Sequence, residues 1–401
     1  MPDTEKKSKR KKCCHAANTD WLFHTFQTGI LKGLHAKGFH ITCVCSDTGF
    51  GDKLASLPTA STHTLKHYVK GVSPSEDLRH VYELYRFYKK HKPALVHHFT
   101  IKPVIYGALA AKFAGVPVII NTIMGLGYVF TGNARKKMLL KSAVLGLYRL
   151  SGLVSDYFFF SNNEDRDYFL KLNIISAADS RTVCGVGADV RFFAPDRINA
   201  EKTSAIKREL GLTDGDIVVL MAARMLYDKG VAEFVEAGRM IRKTAPNIKF
   251  ILAGPLAPGH PAMIPMAKIQ TWVNDCIVQY LGLREDVREL MAVADMVVLP
   301  SYYSEGLPSS LMEAAAMGKP IITTDNTGCR EVVKHGKNGF IIPIKNASAL
   351  QAAIETLAAD LELRKVMGRQ SRLKAVRDFD EKKVISQIAT VYHHLLKVKN
   401  Y

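Results

Sequence analysis

SYYSEGLPSSLMEAAAMGKPIITTDNTGCREVVKHGKNGFIIP, from Ser301 to Pro343, is the stretch that decides the fold class. The apolar run Met296–Pro300 precedes it and predicts a short buried strand. Ser309–Met317 is rich in Ala, Leu and Met and predicts a helix, which a glycine and a proline then end. Ile321–Thr324 is the next buried strand. Strand, loop, helix and strand in this order predict a βαβ unit with parallel strands.

Two acidic residues, Glu305 and Glu313, stand eight positions apart in this stretch. Pro308 suits the first turn of a helix, so we expect Glu305 in the loop and Glu313 about one turn into the helix. The helix N-terminus between them offers free backbone amides to a diphosphate. This arrangement predicts a nucleotide-sugar pocket. The alternative is that Glu305 caps the helix and Glu313 is a solvated surface residue, and the spacing alone does not separate the two.

The order and spacing of these residues resemble a known signature. E-G-L-P-x-x-L-x-E-A-x-A-x-G-x-P-I-I-x-T-D, followed by G-x-x-E-V-V and G-x-N-G-F, is similar to the motif of the retaining family-4 glycosyltransferases. Their Glu-(seven residues)-Glu pair matches Glu305 and Glu313. The resemblance covers the chain from about Lys11 to Asp380 and implies an α/β fold of the GT-B type, with two facing Rossmann-like domains, parallel sheets and an interdomain cleft.

Three segments are expected on this plan. Residues 1–190 would form the N-terminal acceptor-binding domain and residues 191–370 the C-terminal domain that binds a nucleotide-sugar donor. Residues 371–401 would form a helix that packs back across the boundary. The boundary is placed at the polar segment Ala188–Ala200, which contains Pro195.

Two cations, Arg224 and Lys229, follow the predicted strand Ile217–Ala222. A guanidinium fork and an ammonium point charge both suit a diphosphate, although two solvated loop cations would give the same pattern. The resemblance matches this pair to the family's diphosphate-binding residues. It further implies that Glu305 lies near the transferred sugar, that Glu313 binds the ribose hydroxyls, and that the donor receives backbone amides from Gly306 and Leu307.

In the first half of the chain, the predicted strand Ala94–Thr100 carries polar residues at its carboxyl end, where α/β sheets bind ligands. His97 and His98 point to opposite faces of the strand, so they cannot chelate one metal, and at least one is interpreted as structural. VHHFTIKPVIYG and NTIMGLGYVFTG resemble a bacterial subgroup that builds surface polysaccharides or lipid-linked oligosaccharides. The implied acceptor is a glycan on a polyprenyl diphosphate. The expected acceptor-side residues are Asp20, His98, Thr100, Lys102, Gly125 and Gly127.

Several local elements are also predicted from propensity and periodicity. Lys11–Asn18 should be the first strand, Thr19–Phe23 a loop, and Thr25–Lys37 a helix. Thr182–Gly187 should be a short strand. Ala134–Leu150 mixes Lys and Arg with apolar residues and predicts a basic amphipathic helix, either a membrane-surface helix or an ordinary domain helix with a cationic face.

The formal charge of +18 is concentrated in the first half, where residues 1–190 hold 26 Lys and Arg against 14 Asp and Glu. This balance suits an anionic membrane surface, nucleic acid or a phosphorylated substrate. No nucleic-acid module is evident and the basic residues do not alternate with aromatic ones, so we predict a membrane surface and a diphosphate substrate, and no nucleic acid.

The seven cysteines include no C-x-x-C pair and are interpreted as reduced thiols of a cytoplasmic protein. The basic residues at Lys6–Lys12 are not followed by an apolar run of signal-peptide length. We therefore expect a cytoplasmic location with peripheral association at the inner face of the cytoplasmic membrane. The D-x-D spellings at 165–167, 214–216 and 378–380 are interpreted as caps and surface acids, so no essential metal or other cofactor is expected.

The function predicted from these features is a retaining hexosyltransferase. It would move a hexose or N-acetylhexosamine from a nucleotide sugar, expected to be UDP-linked, to a lipid-linked or polysaccharide acceptor. Two alternatives remain at this point. A nucleotide-sugar 2-epimerase of the same fold would need no acceptor. A catalytically silent membrane-associated paralogue would explain why the first predicted strand, KKCCHAAN, has Cys, His and Ala where Val or Ile is expected.

Overall fold

The computed structural model describes residues 10–66, 73–130 and 135–401, without the side chains of Tyr128 and of residues 135–137. The chain forms two compact units. Unit 1 comprises the described residues up to Val186 together with Glu381–Tyr401, and unit 2 is Gly187–Asp380. Residues 187–190 and 371–380 thus group with unit 2, because Ala188 donates its amide hydrogen to the carbonyl of Phe379.

Unit 1 is built on a parallel sheet that has seven strands in the described part of the chain, in the order β3-β2-β1-β4-β5-β6-β7. The strand order reverses between β1 and β4, which makes that position the topological switch point of the sheet. The strands are β1 Lys11–Thr19, β2 Phe39–Ser46, β3 Ala60–Thr64, β4 Leu95–Phe99, β5 Val118–Ile123, β6 Tyr157–Phe160 and β7 Ser180–Thr182.

Helices connect these strands on both faces of the unit 1 sheet. They are α1 Asp20–Leu22, α2 Thr28–Ala36, α3 Gly51–Ala55, α4 Pro74–His91, α5 Ala108–Ala114, α6 Arg135–Val154 and α7 Asn163–Lys171. Two π-helical segments, Phe23–Gln27 and Pro103–Gly107, lead into α2 and α5, and a 3-10 turn spans Tyr128–Phe130. None of the helices in the described ranges is long and apolar enough to cross a membrane.

Two local predictions for unit 1 are wrong. Thr19–Phe23 is not a loop, because the chain turns helical at Asp20 and buries Leu22 and Phe23 in the same core as Ile30. The strand predicted at Thr182–Gly187 instead lies at Ser180–Thr182, where its residues pair with β6. Gly185 and Gly187 have φ angles of 54° and 73°, which a strand does not adopt.

Unit 2 contains a second parallel sheet, ordered β10-β9-β8-β11-β12-β13. This is the 3-2-1-4-5-6 order of a dinucleotide-binding fold, with its switch point between β8 and β11. The strands are β8 Ile217–Ala222, β9 Ile248–Ala253, β10 Gln279–Tyr280, β11 Met296–Leu299, β12 Ile321–Thr324 and β13 Gly339–Ile342. Strands β11 and β12 are buried throughout, as expected for parallel strands covered on both faces.

The helices of unit 2 are α8 Ala200–Glu209, α9 Val231–Ile241, α10 Met266–Asn274, α11 Val287–Val293, α12 Ser309–Ala316, α13 Cys329–Val332, α14 Ala347–Ala359 and α15 Leu361–Lys374. Two 3-10 turns, Pro195–Arg197 and Tyr227–Lys229, and the π-helical segment Ala375–Phe379 complete the unit. The predicted strand–loop–helix–strand unit is therefore confirmed as β11, loop, α12 and β12.

The last helix, α16 Glu381–Val398, returns to unit 1 and packs against α2. Gly33 allows this close approach, since a Cβ added there would lie 2.5 Å from the side chain of Ile385. Tyr392 of α16 is completely buried in the core of unit 1. The helix α16 therefore completes the core of unit 1.

Candidate active site

The switch point of the unit 2 sheet brings two loops together. One loop follows β8 and the other follows β11, and the carbonyl of Asp228 in the first accepts hydrogen bonds from the second. The amides of Tyr302 and Tyr303 both donate to it over 2.9 Å, and the Ser301 hydroxyl oxygen lies 3.2 Å from it. These contacts fix both loops at the edge where parallel sheets bind ligands.

A buried ion pair lies between these loops. The Nζ of Lys229 is 2.5 Å from Oε1 of Glu305, and their side chains are 13% and 8% exposed. The Ser301 hydroxyl donates to the same carboxylate oxygen over 2.7 Å. The predicted phosphate cation and the predicted sugar-side acid are therefore direct partners, and each holds the other in one position in a poorly solvated place.

Arg224 lies at the same edge, half-buried beside Tyr303. Burial raises the pKa of the Tyr303 hydroxyl, while the neighbouring Arg224 charge opposes that rise. A strap at residues 255–265 supports the backbone here, since the Met225 amide donates to the Pro255 carbonyl and the Tyr227 amide to that of Ala262. Sequence reasoning missed this strap, whose signal was the Gly-Pro turn that ends FILAGP.

The amino-terminal end of α12 presents backbone donors. Among the described residues, the amides of Gly306 and Leu307 have no hydrogen-bond partner. Gly328 packs under this turn, where its φ angle of 76° and a distance of 1.8 Å from an added Cβ to the Gly306 carbonyl exclude any side chain. The predicted amide donors are thus available for an anion at this helix end.

Glu313 lies on α12 and is half-buried, not a fully solvated surface residue. Burial raises the pKa of its carboxyl to about 8. Within the described parts of the chain, no donor reaches this carboxyl. A half-buried carboxyl without a protein partner can accept hydrogen bonds from a ligand, and ribose hydroxyls are donors of that kind.

The switch point of the unit 1 sheet is arranged differently. The Asn18 amide, after β1, donates to Oγ1 of Thr100, after β4, over 3.3 Å. Thr100 has a φ angle of 66°, a left-handed conformation that is uncommon for threonine. Lys102 is paired with Asp77 over 2.7 Å, and Tyr106 donates to the same carboxylate.

Asp20, another predicted acceptor-side residue, organises a loop. Its carboxylate accepts hydrogen bonds from the amides of Thr48 and Phe50 over 3.0 and 2.9 Å, and from the Thr48 hydroxyl. Burial favours a higher pKa for this carboxyl, but the hydrogen bonds from Thr48 and Phe50 outweigh it and lower the pKa below its ordinary value.

His98 is 0% exposed and contacts Oη of Tyr88 over 3.1 Å and Oδ1 of Asn121 over 3.0 Å. Burial lowers the pKa of its imidazole to about 4. This placement fits the structural interpretation of the histidine, and not the predicted contact with an acceptor. His97 points to the other face, as predicted, and contacts Tyr392 and Thr122.

Gly125 and Gly127 shape the loop after β5. Their φ angles are 99° and 70°, so both positions need glycine. Three groups of residues lie outside the described ranges: residues 131–132 at the end of NTIMGLGYVFTG, the first residue of the helix predicted at 134–150, and Lys6, Lys7 and Lys9 near the amino terminus. In the described ranges, no group of three or more His, Cys, Asp or Glu side chains could hold a metal ion.

Comparison with known proteins agrees with this geometry. The family described as "Glycosyl transferases group 1" matches residues 202–374, and "Glycosyl transferase 4-like" matches residues 12–156. The N,N'-diacetylbacillosaminyl-diphospho-undecaprenol alpha-1,3-N-acetylgalactosaminyltransferase of Campylobacter jejuni is 30% identical over 379 residues, 94% of this chain and 96% of that protein. The UDP-Gal:alpha-D-GlcNAc-diphosphoundecaprenol alpha-1,3-galactosyltransferase of Escherichia coli is 27% identical over 359 residues, 88% and 89% of the two chains.

Solved structures share the fold. Anabaena Alr3699/HepE, solved with UDP-glucose, has a TM-score of 0.79 at 18% identity and covers 96% of this chain and 99% of its own. Sucrose-phosphate synthase from Thermosynechococcus elongatus has a TM-score of 0.81 at 19% identity, covering 97% of this chain and 100% of its own.

The two Rossmann-like units are those of a GT-B glycosyltransferase. The chain belongs to the family-4 glycosyltransferases, in the bacterial subgroup of surface-polysaccharide and lipid-linked-oligosaccharide enzymes.

Proposed function

We propose that this glycosyltransferase moves a hexose or N-acetylhexosamine from a UDP-sugar to a glycan on a polyprenyl diphosphate, with retention of configuration. The observation that carries the proposal is the cluster of Arg224, Lys229 and Glu305 beside free helix amides at the switch point of unit 2. Both curated relatives described above are named for acceptors on diphosphoundecaprenol, and one is named for UDP-Gal as donor.

The residues of this cluster suit the departure of a nucleoside diphosphate. As the sugar–phosphate bond breaks, the bonding electrons stay with the phosphate and negative charge develops there. Arg224, Lys229 and the amides before α12 would stabilise that charge, which is worth most in a site sheltered from water. The acceptor hydroxyl oxygen bonds to the anomeric carbon on the face that the phosphate leaves and gives its proton to the departing phosphate oxygen, so the proposed reaction needs neither a protein base nor a metal ion.

The acceptor sugar is proposed to be N-acetylated. The names of the two relatives specify an N,N'-diacetylbacillosaminyl and a GlcNAc residue attached directly to the lipid diphosphate. Neither an epimerase, which needs no acceptor, nor a silent paralogue accounts for the ion pair and the free amides as well as a transferase does.

We further propose that unit 1 binds the anionic inner face of the cytoplasmic membrane. The packed helices α4, α5 and α6 carry exposed apolar side chains, namely Leu78, Tyr82, Phe113, Leu139 and Leu153, at 60% to 82% exposure. These helices also carry numerous Lys and Arg residues. Apolar insertion combined with cationic attraction is the chemistry of a peripheral membrane surface, and no nucleic-acid partner is needed to explain the charge.

The transferase is tested by measuring nucleotide release from a panel of UDP-sugars, with and without a polyprenyl-diphosphate-linked N-acetylglucosamine. Acceptor-dependent release from one donor, with a new disaccharide on the lipid, is expected. Equal release with and without acceptor would contradict transfer and indicate hydrolysis. Inversion at the anomeric carbon, detected by NMR of the product, would contradict retention.

The membrane surface is tested by flotation with vesicles of phosphatidylglycerol and phosphatidylethanolamine. The double variant Phe113→Ser and Leu139→Ser should lose most of its vesicle binding, because both side chains are more than 70% exposed. Leu361→Ser, which changes a 53% exposed leucine of unit 2, is the matched control and should bind as the unaltered protein does. Equal flotation of all three proteins would refute this surface.

A further inference from the structure

Tyr303 lies among the charged residues of the unit 2 site. Its backbone is fixed at both ends, because its amide donates to the Asp228 carbonyl over 2.9 Å and its carbonyl accepts a hydrogen bond from the Asn326 side chain over 2.6 Å. The side chain itself is half-buried. The two backbone contacts therefore hold the phenol at the edge of the sheet where the two loops meet, and neither contact uses its hydroxyl.

The phenol of Tyr303 contacts both cations of the site. The Nζ of Lys229 lies 5.1 Å from the centre of its ring, within the ~6 Å over which an ammonium is attracted to an aromatic face. The guanidinium of Arg224 donates a hydrogen bond to its hydroxyl. Glu305, the ion-pair partner of Lys229, acts on the same hydroxyl through its charge. Tyr303 thus connects Arg224 with the Lys229–Glu305 pair.

The Tyr303 hydroxyl also has a hydrogen to donate. A guanidinium carries N–H donors and no acceptor, so the phenol oxygen is the acceptor in its contact with Arg224. Neither this contact nor the Lys229 contact uses the hydrogen of the hydroxyl. Burial raises the pKa of the hydroxyl and the neighbouring Arg224 charge only opposes that rise, so the group stays protonated at neutral pH. A neutral donor between two cations suits an anion that both cations attract.

We propose that Tyr303 donates this hydrogen to a phosphate oxygen of the departing nucleoside diphosphate, as a third side-chain donor beside Arg224 and Lys229. As the sugar–phosphate bond breaks, its electrons pass to the phosphate, and the hydrogen bond strengthens with the charge on the oxygen. The proton stays on Tyr303 throughout. This inference rests on the proposed function, because it takes the cluster to bind the diphosphate of a donor, and it adds a residue that contacts the leaving group.

The ring and the hydroxyl can be separated by substitution. Tyr303→Phe keeps the ring that Lys229 contacts and removes only the hydroxyl, so the variant should fold and keep the Lys229–Glu305 pair. The matched control is Tyr157→Phe, which removes the hydroxyl of a half-buried tyrosine of unit 1 that also has arginine neighbours. Thermal unfolding of both variants verifies that they are folded.

The first measurement is steady-state transfer from the UDP-sugar that the donor panel selects. In Tyr303→Phe, kcat should fall by about tenfold to a hundredfold while KM for the donor changes by less than about threefold, because the lost bond acts mainly in the transition state. Tyr157→Phe should keep both values. A folded Tyr303→Phe protein with kcat within about twofold of the unaltered protein would overturn the inference.

A binding measurement separates this inference from the proposed function. UDP carries the terminal phosphate of the leaving group and UMP lacks it, so calorimetric titration with each reports on that phosphate alone. Tyr303→Phe should weaken UDP binding by about tenfold, the effect of one hydrogen bond to a charged group, and should leave UMP binding unchanged. Equal weakening of UDP and UMP would mean that Tyr303 only supports the fold, and the inference would fall.

The two proposals then fail in different ways. If no lipid-linked acceptor reacts while Tyr303→Phe selectively loses UDP affinity, the proposed acceptor is wrong and the role of Tyr303 stands. If transfer occurs and Tyr303→Phe binds UDP as the unaltered protein does, the transferase stands and the role of Tyr303 is wrong. If the unaltered protein binds UDP no more tightly than UMP, the cluster does not hold a diphosphate and both proposals fall.

Discussion

The two sheets share one strand order around their switch points but differ in the chemistry of the strands and loops. In unit 2, the central strand β8 is the apolar run IVVLMA, and charged groups follow it in the loop. In unit 1, the central strand β1 is KKCCHAANT, and polar groups such as His15 are buried within the strand itself. The same topology therefore supports a charged edge in one unit and a neutral, hydrogen-bonded interior in the other.

This difference matches the two ligands of the proposed reaction. A nucleoside diphosphate needs cations and amides, which unit 2 supplies with Arg224, Lys229 and the end of α12. A sugar hydroxyl and an acetamido group are neutral, and unit 1 buries histidines whose pKa values are lowered by burial. On this proposal, the strand order of each sheet would position its ligand, and the residues after and within the strands would determine which ligand binds.

The largest effect on activity is expected from removing the charge of the unit 2 acid. Glu305→Gln keeps a hydrogen-bond acceptor for Lys229 but removes the negative charge that holds it, so transfer should fall by roughly a thousandfold. Steady-state transfer to the lipid-linked acceptor measures this loss. Glu236→Gln, at an exposed glutamate paired with Arg239, is the control and should keep full activity. If Glu305→Gln transfers sugar at a rate within about twofold of the unaltered protein, then Glu305 does not act in the site, because removing such a group typically lowers the rate far more.

A smaller effect is expected from Glu313, and it depends on pH. Its pKa of about 8 means that the carboxyl is mostly protonated in the free protein at neutral pH. Ribose hydroxyls favour the carboxylate, so UDP binding should release a proton and strengthen by several-fold, up to about tenfold per pH unit, between pH 6 and 8. Titration calorimetry of UDP binding in buffers of different ionisation enthalpy measures the number of protons released.

Glu313→Gln should bind UDP with a nearly constant affinity across this range. Glu362→Gln, at an exposed glutamate, should keep the dependence of the unaltered protein. The sign for stability is opposite to that for binding. Between pH 4.5 and 8 the folded protein holds a proton that the unfolded chain releases, so this residue lowers stability as the pH rises. A UDP affinity that weakens with rising pH would contradict the assignment.

The smallest effect on activity is expected from the unit 1 network. Tyr392→Phe removes the hydroxyl that contacts both His15 and His97, and should cost about 1–3 kcal/mol of unfolding free energy for each buried group left unpaired. Urea denaturation measures this loss. Tyr82→Phe, at a 60% exposed tyrosine, should leave stability unchanged.

Transfer activity below the denaturation midpoint should stay close to that of the unaltered protein in Tyr392→Phe. A large loss of kcat in the folded variant would mean that the network takes part in the reaction, and the contrast between the two units would then be wrong.

Elements that depend on a short run of neighbouring residues could be predicted from the sequence. The strands β8 and β12, and the helix α12 to within a residue, follow from apolar runs and from a helix-stopping glycine. The helix that begins at Asp20 was missed because a polar, aromatic segment of this kind has no clear period until its burial is known. The split of residues 371–401 was also missed, because the bonds of Ala188 to Phe379 join residues far apart in the chain.

The candidate site was predictable as a set of residue types but not as a geometry. Motif spacing identified Arg224, Lys229, Glu305 and Glu313. It gave no sign that Lys229 and Glu305 form an ion pair, since 76 positions separate them. The buried hydrogen-bond network from His15 to Thr122 has no sequence motif, because it depends on how α16 packs on the sheet of unit 1.

The return of α16 to unit 1 has a consequence for synthesis on the ribosome. The face of the first sheet that receives Ile385 and Tyr392 stays uncovered until α16 has left the exit tunnel. Unit 2, whose residues are contiguous, can mature before the unit that precedes it. Nascent chains would therefore expose an apolar surface for most of translation, and a premature stop anywhere before α16 would yield a protein with a finished second unit and an unfinished first.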